Sequence, residues 1–415
     1  MKSLFSALSP NVEKDDLELV RHLIRGRGEN YHGAKKLLMN AFSDYMGVEA
    51  IAFQSGRSAL WAIMRSFSWP KDSEIIISGF TCAAAANPLI WAGLKPIFVD
   101  IDESLNINVS FIEKFINPKT KAILVQHTFG LPVNMEQIKN IAERYNLKII
   151  EDCAHSLGAS FDDKLTGVWG DASFFSFGRD KIISSIFGGM AVSKDKEIIK
   201  RISLIEKRSE ALPKSWTRQQ LKHPLLVNRW VQPLYGKKEI GRKLLLIFQK
   251  LGILSKSMSR DEKKSIPPEI FPAKIPDELA MLALLQLGKI ERYNKHRSQL
   301  AKYYEKSLKD LPIIMPQKSE GRIYLKFPII MADRNLADRL LRFLRHNNIY
   351  LYDGWKNSPI VPSDVFLPSM KYKIGSCPSA EDLSGRIVNL PTHINISLDD
   401  AARISKTIIE FFNSL

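Results

Sequence analysis

Between Glu49 and about Lys196 the chain alternates short apolar runs with stretches of helical periodicity. The runs EAIAFQ (49–54), SEIIIS (73–78), KPIFVD (95–100), KAILVQ (121–126), LKIIED (147–152), DASFFSF (171–177) and GMAVS (189–193) are bounded by Gly, Pro or polar residues. Runs of this length and composition read as strands. Between them Ser58–Arg65, Ala83–Trp91, Phe111–Phe115 and Met135–Tyr145 carry helix-like spacing. Near-continuous apolar strands alternating with helices predict an α/β fold, its mainly parallel sheet covered on both faces. Ligands in such sheets bind beyond the carboxyl ends of the strands, so the polar residues there are the first candidates for chemistry.

The pattern changes from Ala211 to Lys264. This stretch holds 13 Lys and Arg against Glu239, Asp261 and Glu262, and Ile240, Leu244, Ile247, Phe248, Leu251, Leu254 and Met258 recur at helical spacing. IPPEIFPAKIP (266–276) then breaks the periodicity with four prolines. DELAMLALLQLGKIERYNKHR (277–297) predicts one long helix with an acidic first turn. Beyond it, RIYLKFPII reads as a strand, and Asn335–His346 and Leu398–Phe412 as helices. The expected organisation is a large α/β domain over residues 1–210, a basic amphipathic insertion and connection over 211–276, and a smaller α+β domain over 277–415.

Composition excludes several classes. With 415 residues, 45% hydrophobic and 25% charged, the chain is neither disordered nor collagen-like. Its 60 basic and 44 acidic residues leave +16, a balance that raises a nucleic-acid or anionic-membrane partner. Most of that excess lies in the one basic stretch, and no helix-turn-helix, RNP or zinc motif accompanies it, so nucleic acid is not expected. Cys82, Cys153 and Cys377 are widely spaced and form no CxxC pair, which speaks against a disulfide framework or a metal site. No secretory leader pattern is visible, and no apolar run approaches the ~18 residues of a membrane span. The expected location is cytoplasmic, with peripheral contact at the inner face of the membrane through residues 211–264 as a second expectation. Against it stands packing of the same apolar stripe onto the protein itself or its dimer mate.

Three segments carry candidate chemistry. In QSGRSALWAIM (54–64) a strand runs into Gly56 and Arg57 at a helix start, which suits a phosphate or is a plain capped turn. In LKIIEDCAHS (147–156) Asp152 ends an apolar strand and His155 follows three residues on. The carboxylate there either meets a positive partner or caps the next segment. In DASFFSFGRDKIISSIFGGM (171–190) Ser176, Arg179, Asp180 and Lys181 lie between two apolar strands. Lys181 there is either a desolvated amine nucleophile or an edge-loop lysine paired with Asp180. Together the three are what pyridoxal phosphate requires: a phosphate cradle, an acid for the pyridine nitrogen and a lysine for the aldehyde.

These segments, with HTFGLPVNM (127–135), GGM (188–190), LALLQLGKIERYNKHR (282–297) and CPSAEDLSGRIVNLPTHINIS (377–397), make the chain resemble the DegT/DnrJ/StrS family of pyridoxal-phosphate sugar aminotransferases. The resemblance implies an aspartate-aminotransferase-like large domain of fold type I. It makes Lys181 the catalytic Schiff-base lysine and proton shuttle, and Asp152 the partner of the pyridine nitrogen. His155 is expected against the ring or its phenolic oxygen, with Ser176 and the Gly56–Arg57 turn on the phosphate. The family's ring-stacking aromatic aligns with Cys82, which makes Phe80 the substitute. The family's Gly-Glu before the paired glycines is Ile186-Phe187, and its Asn-x-Arg motif appears as Pro272-Ala273-Lys274. The implied reaction moves an amino group from glutamate to a keto sugar, nucleotide-linked, in a homodimer. A lipid-linked acceptor at the membrane surface, and a regulatory protein on the same scaffold, are the alternatives.

Overall fold

The computed structural model describes residues 2–8, 10–26, 31–236, 239–316 and 321–415. The seven expected strands form one sheet: β1 (Ala50–Phe53), β2 (Glu74–Ser78), β3 (Lys95–Val99), β4 (Thr120–Gln126), β5 (Lys148–Asp152), β6 (Ala172–Ser176) and β7 (Gly189–Ser193). Their spatial order is β1-β7-β6-β5-β4-β2-β3. Neighbours from β6 to β3 run parallel, while β7 runs antiparallel to both β6 and β1. β1, β2, β6 and β7 are buried almost throughout, as strands covered on two faces must be. The covering helices are α1 (Lys14–Arg25), α2 (Ala34–Met46), α3 (Gly56–Ser66), α4 (Ala83–Trp91), α5 (Met135–Tyr145) and α6 (Lys196–Arg208). Ser55, Asn134 and Asp195 cap α3, α5 and α6 through side-chain oxygens, satisfying first-turn N–H groups.

The 277–297 stretch departs from expectation. It is two helices, α9 (Asp277–Leu287) and α10 (Ile290–Ser307), separated at Gly288-Lys289. Their apolar faces serve different cores. Leu279, Leu282 and Ala283 pack with Leu38 and Phe42 of α2, whereas Leu300, Ala301 and Tyr304 pack with the C-terminal elements. One straight helix could not turn both faces inward. The C-terminal elements are the antiparallel pair β8 (Lys326–Ile330) and β9 (Ile387–Pro391), with α11 (Arg334–His346) and α12 (Leu398–Asn413).

Two segments therefore cross the expected divisions at 210 and 277. α9 shares its core with the sheet's helices, and Leu4 is buried in the C-terminal core, its strand paired with Ile349–Tyr350. The basic segment is also less regular than its periodicity implied. It forms α7 (Lys214–Leu226) and α8 (Ile240–Lys250), and the helix ends before Gly252, which adopts a left-handed φ of 68°. Leu254 and Met258 continue the spacing on paper but are buried in irregular chain. Lys237 and Lys238 of this segment lie outside the described residues.

Candidate active site

A cavity of about 310 Å³ opens over the carboxyl ends of the central strands. Gly56, Arg57, Asp152, His155, Ser176 and Lys181 all line it. The topology explains why. β1, β5 and β6 end at the same edge of the sheet, and antiparallel β7 begins there, with Gly189 opposite both Phe53 and Ser176. A side chain on Gly189 would meet the Gly56 backbone nitrogen at 2.4 Å, so a glycine is what lets α3 start against the sheet. Gly56 in turn lies 3.0 Å, measured from an added Cβ, from the Ser176 Cβ. The start of α3 and the Ser176 hydroxyl thus form one polar corner. Ser55 Oγ accepts from Ser58 N at 3.2 Å, while no acceptor among the described residues takes the Gly56 or Arg57 backbone N–H.

Strand alternation separates two neighbouring acids. Glu151 points away from the cavity and accepts from the N–H groups of Gly167, Trp169 and Gly170 at 2.7–2.8 Å, with His127 Nε2 at 3.1 Å. Burial alone would raise its pKa, but these bonds and His127 hold it below the usual carboxylate range. Asp152 points into the cavity with one backbone donor, Ala154 N, at 3.0 Å from Oδ1. Burial raises the Asp152 pKa, and the Ala154 N–H and Lys181 only partly oppose it. A cation in the cavity is what this carboxylate lacks. The capping interaction therefore exists, but it uses only Oδ1.

Lys181 is held by its main chain. Asn11 Nδ2 donates to the carbonyls of Lys181 at 2.5 Å and Ile182 at 2.9 Å. Its amine makes no hydrogen bond or ion pair to a described residue, and Asp180 leaves Oδ1 buried without a partner rather than pairing with it. Burial lowers the amine's pKa; Cys82 and Asp152 oppose this without cancelling it, and Lys326 adds to it. His155 Nδ1 accepts from Phe129 N at 3.3 Å, so the proton sits on Nε2, and burial holds the ring neutral, far below its ordinary pKa. Its ring stacks on Phe129 at 5.7 Å and meets Trp355 edge-on at 5.0 Å.

Two expectations are corrected by the long-range packing. The Phe80 side chain is 0% exposed and is not in the cavity wall. It lies behind the wall against Trp355 and Phe129, because its carbonyl is bound by Gln126 Nε2 at 3.0 Å. Cys82 and Trp355 reach the cavity in its place. The Arg57 guanidinium, expected on a phosphate, is instead ion-paired with Glu262 and donates to the Ser257 carbonyl at 3.3 Å. Only its backbone N–H stays available.

Sequence reasoning missed three groups of the cavity wall, Lys326, Asp353 and Trp355, and two that bind wall residues, Asn389 and Glu262. Lys326 and Asp353 form a buried ion pair at 2.7 Å, and Asn389 Nδ2 adds a bond to Asp353 at 3.0 Å. A lysine inside the apolar run YLKFPII was the available signal, since lysines are rarely fully buried without a partner. Glu262 was legible only as one of three acids in a basic stretch. Trp355 carried no local signal.

The donor set, an unpaired amine, an under-partnered buried carboxylate and free N–H groups beside a serine hydroxyl, fits pyridoxal phosphate. Comparison with known proteins decides the family. The family model described as the DegT/DnrJ/EryC1/StrS aminotransferase family matches residues 10–228 and 242–409. The chain belongs to the DegT/DnrJ/EryC1/StrS aminotransferase family. Its match breaks only between 228 and 242, inside the basic segment. The UDP-4-amino-4,6-dideoxy-N-acetyl-beta-L-altrosamine transaminase of Helicobacter pylori is 25% identical over 99% of this chain and 98% of its own. The fold matches Helicobacter pylori PseC, an aminotransferase of pseudoaminic acid biosynthesis, at a TM-score of 0.77, with 23% identity and 100% of both chains covered. It also matches E. coli GDP-4-keto-6-deoxy-D-mannose-3-dehydratase, solved with bound hydrated PLP, at a TM-score of 0.74 and 20% identity, over 98% of this chain and 100% of the other. The fold is thus the fold type I that the family resemblance implied, and its mainly parallel sheet is the one the strand pattern predicted.

Proposed function

We propose that the chain is a pyridoxal-phosphate aminotransferase that moves an amino group from glutamate to the keto group of a nucleotide-linked sugar. The observation that carries this reading is the unpaired Lys181 amine in a cavity that also holds Asp152 and the start of α3. When bound, pyridoxal phosphate supplies an aldehyde that condenses with amines and a ring that takes up the electrons of a broken C–H bond. Lys181 holds the aldehyde at rest and, once released, carries the proton from the donor's α-carbon. In the return half-reaction it delivers a proton to the sugar carbon that bore the keto oxygen. Its lowered pKa keeps more of the amine in the neutral, basic form than an exposed lysine would have. Asp152 pairs with the protonated pyridine nitrogen, supplying that nitrogen the anion and itself the cation it lacks. His155, held neutral and stacked on Phe129, would lie against the ring. The Gly56 and Arg57 N–H groups and the Ser176 hydroxyl bind the phosphate. Ile186 and Phe187 give the substrate side an apolar wall.

The purified protein should show a visible absorbance band from bound cofactor, lost on adding glutamate and restored by 2-oxoglutarate. A protein with no band after incubation with pyridoxal phosphate would sink the assignment. We also propose a homodimer, for which sedimentation at twice the 47.2 kDa chain mass is the check.

One observation favours a membrane-surface setting for the acceptor. Ile240, Ile247 and Leu251 share a face of α8 and its end and stay exposed, Leu251 at 67%, with Lys243 and Lys250 on the flank and Trp230 exposed nearby. Leu245 and Phe248 turn inward, onto Val227, Val231 and Leu254, so the stripe facing solvent is a second apolar face. No helix among the described residues is long and apolar enough to cross a membrane. The face suits the interface of an anionic bilayer, where apolar side chains insert and lysines meet headgroups. The protein should float with phosphatidylglycerol-containing liposomes at low salt and release at high salt. Sedimentation free of such vesicles at low salt would end this reading.

A further inference from the structure

We propose that Arg179 is the cation of a phosphate subsite in this cavity, aimed by Ser255 of the basic segment. The proposal rests on the functional reading above and names one more group of that site. Four cations line the cavity: Arg57, Arg179, Lys181 and Lys326. Arg57 is neutralised by Glu262 and Lys326 by Asp353, and Lys181 is the reacting amine. Arg179 alone of the remaining three has no carboxylate within ion-pair distance among the described residues. Its Nη1 donates to the Ser255 carbonyl at 2.8 Å and its Nη2 to the Ser255 hydroxyl at 2.6 Å. That hydroxyl donates in turn to Gln220 Oε1 at 2.6 Å, so the guanidinium is braced by neutral groups only. Its Nε is buried with no partner. The Phe187 ring 5.4 Å away offers a weak attraction and no counter-charge.

A largely buried guanidinium with no ion-paired carboxylate is costly, since the nearby Asp180 charge only partly offsets its desolvation, and an orphan donor adds to the cost. The arrangement is accounted for if an anion meets it in the working complex. Burial, opposed by the neighbouring Asp180 carboxylate and reinforced by Arg57, brings Arg179 down to about 10, so it remains cationic at neutral pH. Arg57 contributes little to an incoming anion because Glu262 already holds its side chain. The donors left around the corner are the Gly56 and Arg57 N–H groups, the Ser176 hydroxyl and Arg179. Helix-start N–H groups, a hydroxyl and a guanidinium are a donor set for the several oxygens of a phosphate. The phosphate belongs either to the cofactor or to the diphosphate of the acceptor. The basic segment, on this account, does more than carry charge: Ser255 and Glu262 sort the two arginines, fixing one and freeing the other's Nε.

The test compares ligands that differ only in phosphate. Full-length wild type and Arg179→Gln, stripped of cofactor, are titrated with pyridoxal phosphate and with pyridoxal, following visible absorbance. Loss of one charge-assisted contact should weaken pyridoxal phosphate about 10- to 100-fold and leave pyridoxal unchanged. If pyridoxal phosphate is unaffected but UDP, dTDP or GDP binds that much more weakly, the subsite serves the acceptor's diphosphate. Ser255→Ala should give a smaller loss, about threefold, in the same arm, and Arg179→Lys should recover part of it. The proposal is overturned if neither phosphate ligand changes affinity, if pyridoxal and pyridoxal phosphate weaken equally, or if only half-saturation by glutamate rises. A wild-type protein that binds neither pyridoxal nor its phosphate would instead defeat the functional reading itself.

Discussion

Lys181→Ala protein should lack the cofactor's visible absorbance band and lose more than about 10³-fold of its turnover. The effect is large because, on the proposed function, one amine performs two tasks, condensing with the aldehyde and carrying the proton. Nothing in the fold depends on that amine. The contacts that anchor this loop run from Asn11 to the carbonyls of Lys181 and Ile182, and alanine retains both. The variant should therefore keep the wild-type circular dichroism and melt no lower, since a desolvated amine without a partner is removed. Free pyridoxal phosphate should still bind it through the phosphate donors, but borohydride should no longer fix the cofactor to the chain. Retained turnover within tenfold of wild type would remove Lys181 from the mechanism.

Asp152→Asn should cost about 10²- to 10⁴-fold in turnover while cofactor stays bound. Asparagine preserves the one structural bond of this side chain, because its carbonyl oxygen can accept from Ala154 N as Oδ1 does. What it removes, on the proposed function, is the charge that would keep the pyridine nitrogen protonated, and with it the ring's capacity to take up electrons. The pH dependence has a definite sign. In the cofactor-free protein burial raises the Asp152 pKa, so acidification should neutralise it sooner than an exposed aspartate and weaken cofactor binding on the acid side. The Asn variant should lose that acid limb, its cofactor affinity being flat where that of wild type falls. A turnover within threefold of wild type, or an unchanged acid limb, would mean that Asp152 only caps the following turn.

Much of this was legible along the chain, for local reasons. A strand buried on both faces must be apolar throughout, so seven such runs announced the seven strands of the sheet. A carboxylate or lysine placed against such a run is expensive unless used, which is why Asp152 and Lys181 stood out. Gly56 stood out because a strand passed directly into a helix there. Lys326 was just as conspicuous inside YLKFPII and went unremarked because its partner, Asp353, lies in a loop with no pattern of its own.

The sequence by itself determined the alternation of strands and helices, the sheet edge at which chemistry gathers, and the excess charge concentrated in residues 211–264. These follow from burial and backbone conformation, which each short segment expresses alone. Only the tertiary structure decided which residues face one another across the chain. Arg57 turns to Glu262, 205 positions away, instead of staying free for an anion. Phe80 is sealed behind the wall by Trp355, brought over from the C-terminal elements. The antiparallel course of β7, which seats Gly189 against Gly56, is a property of the whole sheet rather than of GMAVS. Pairing between distant segments is set by the sum of many contacts, and no single segment carries that sum.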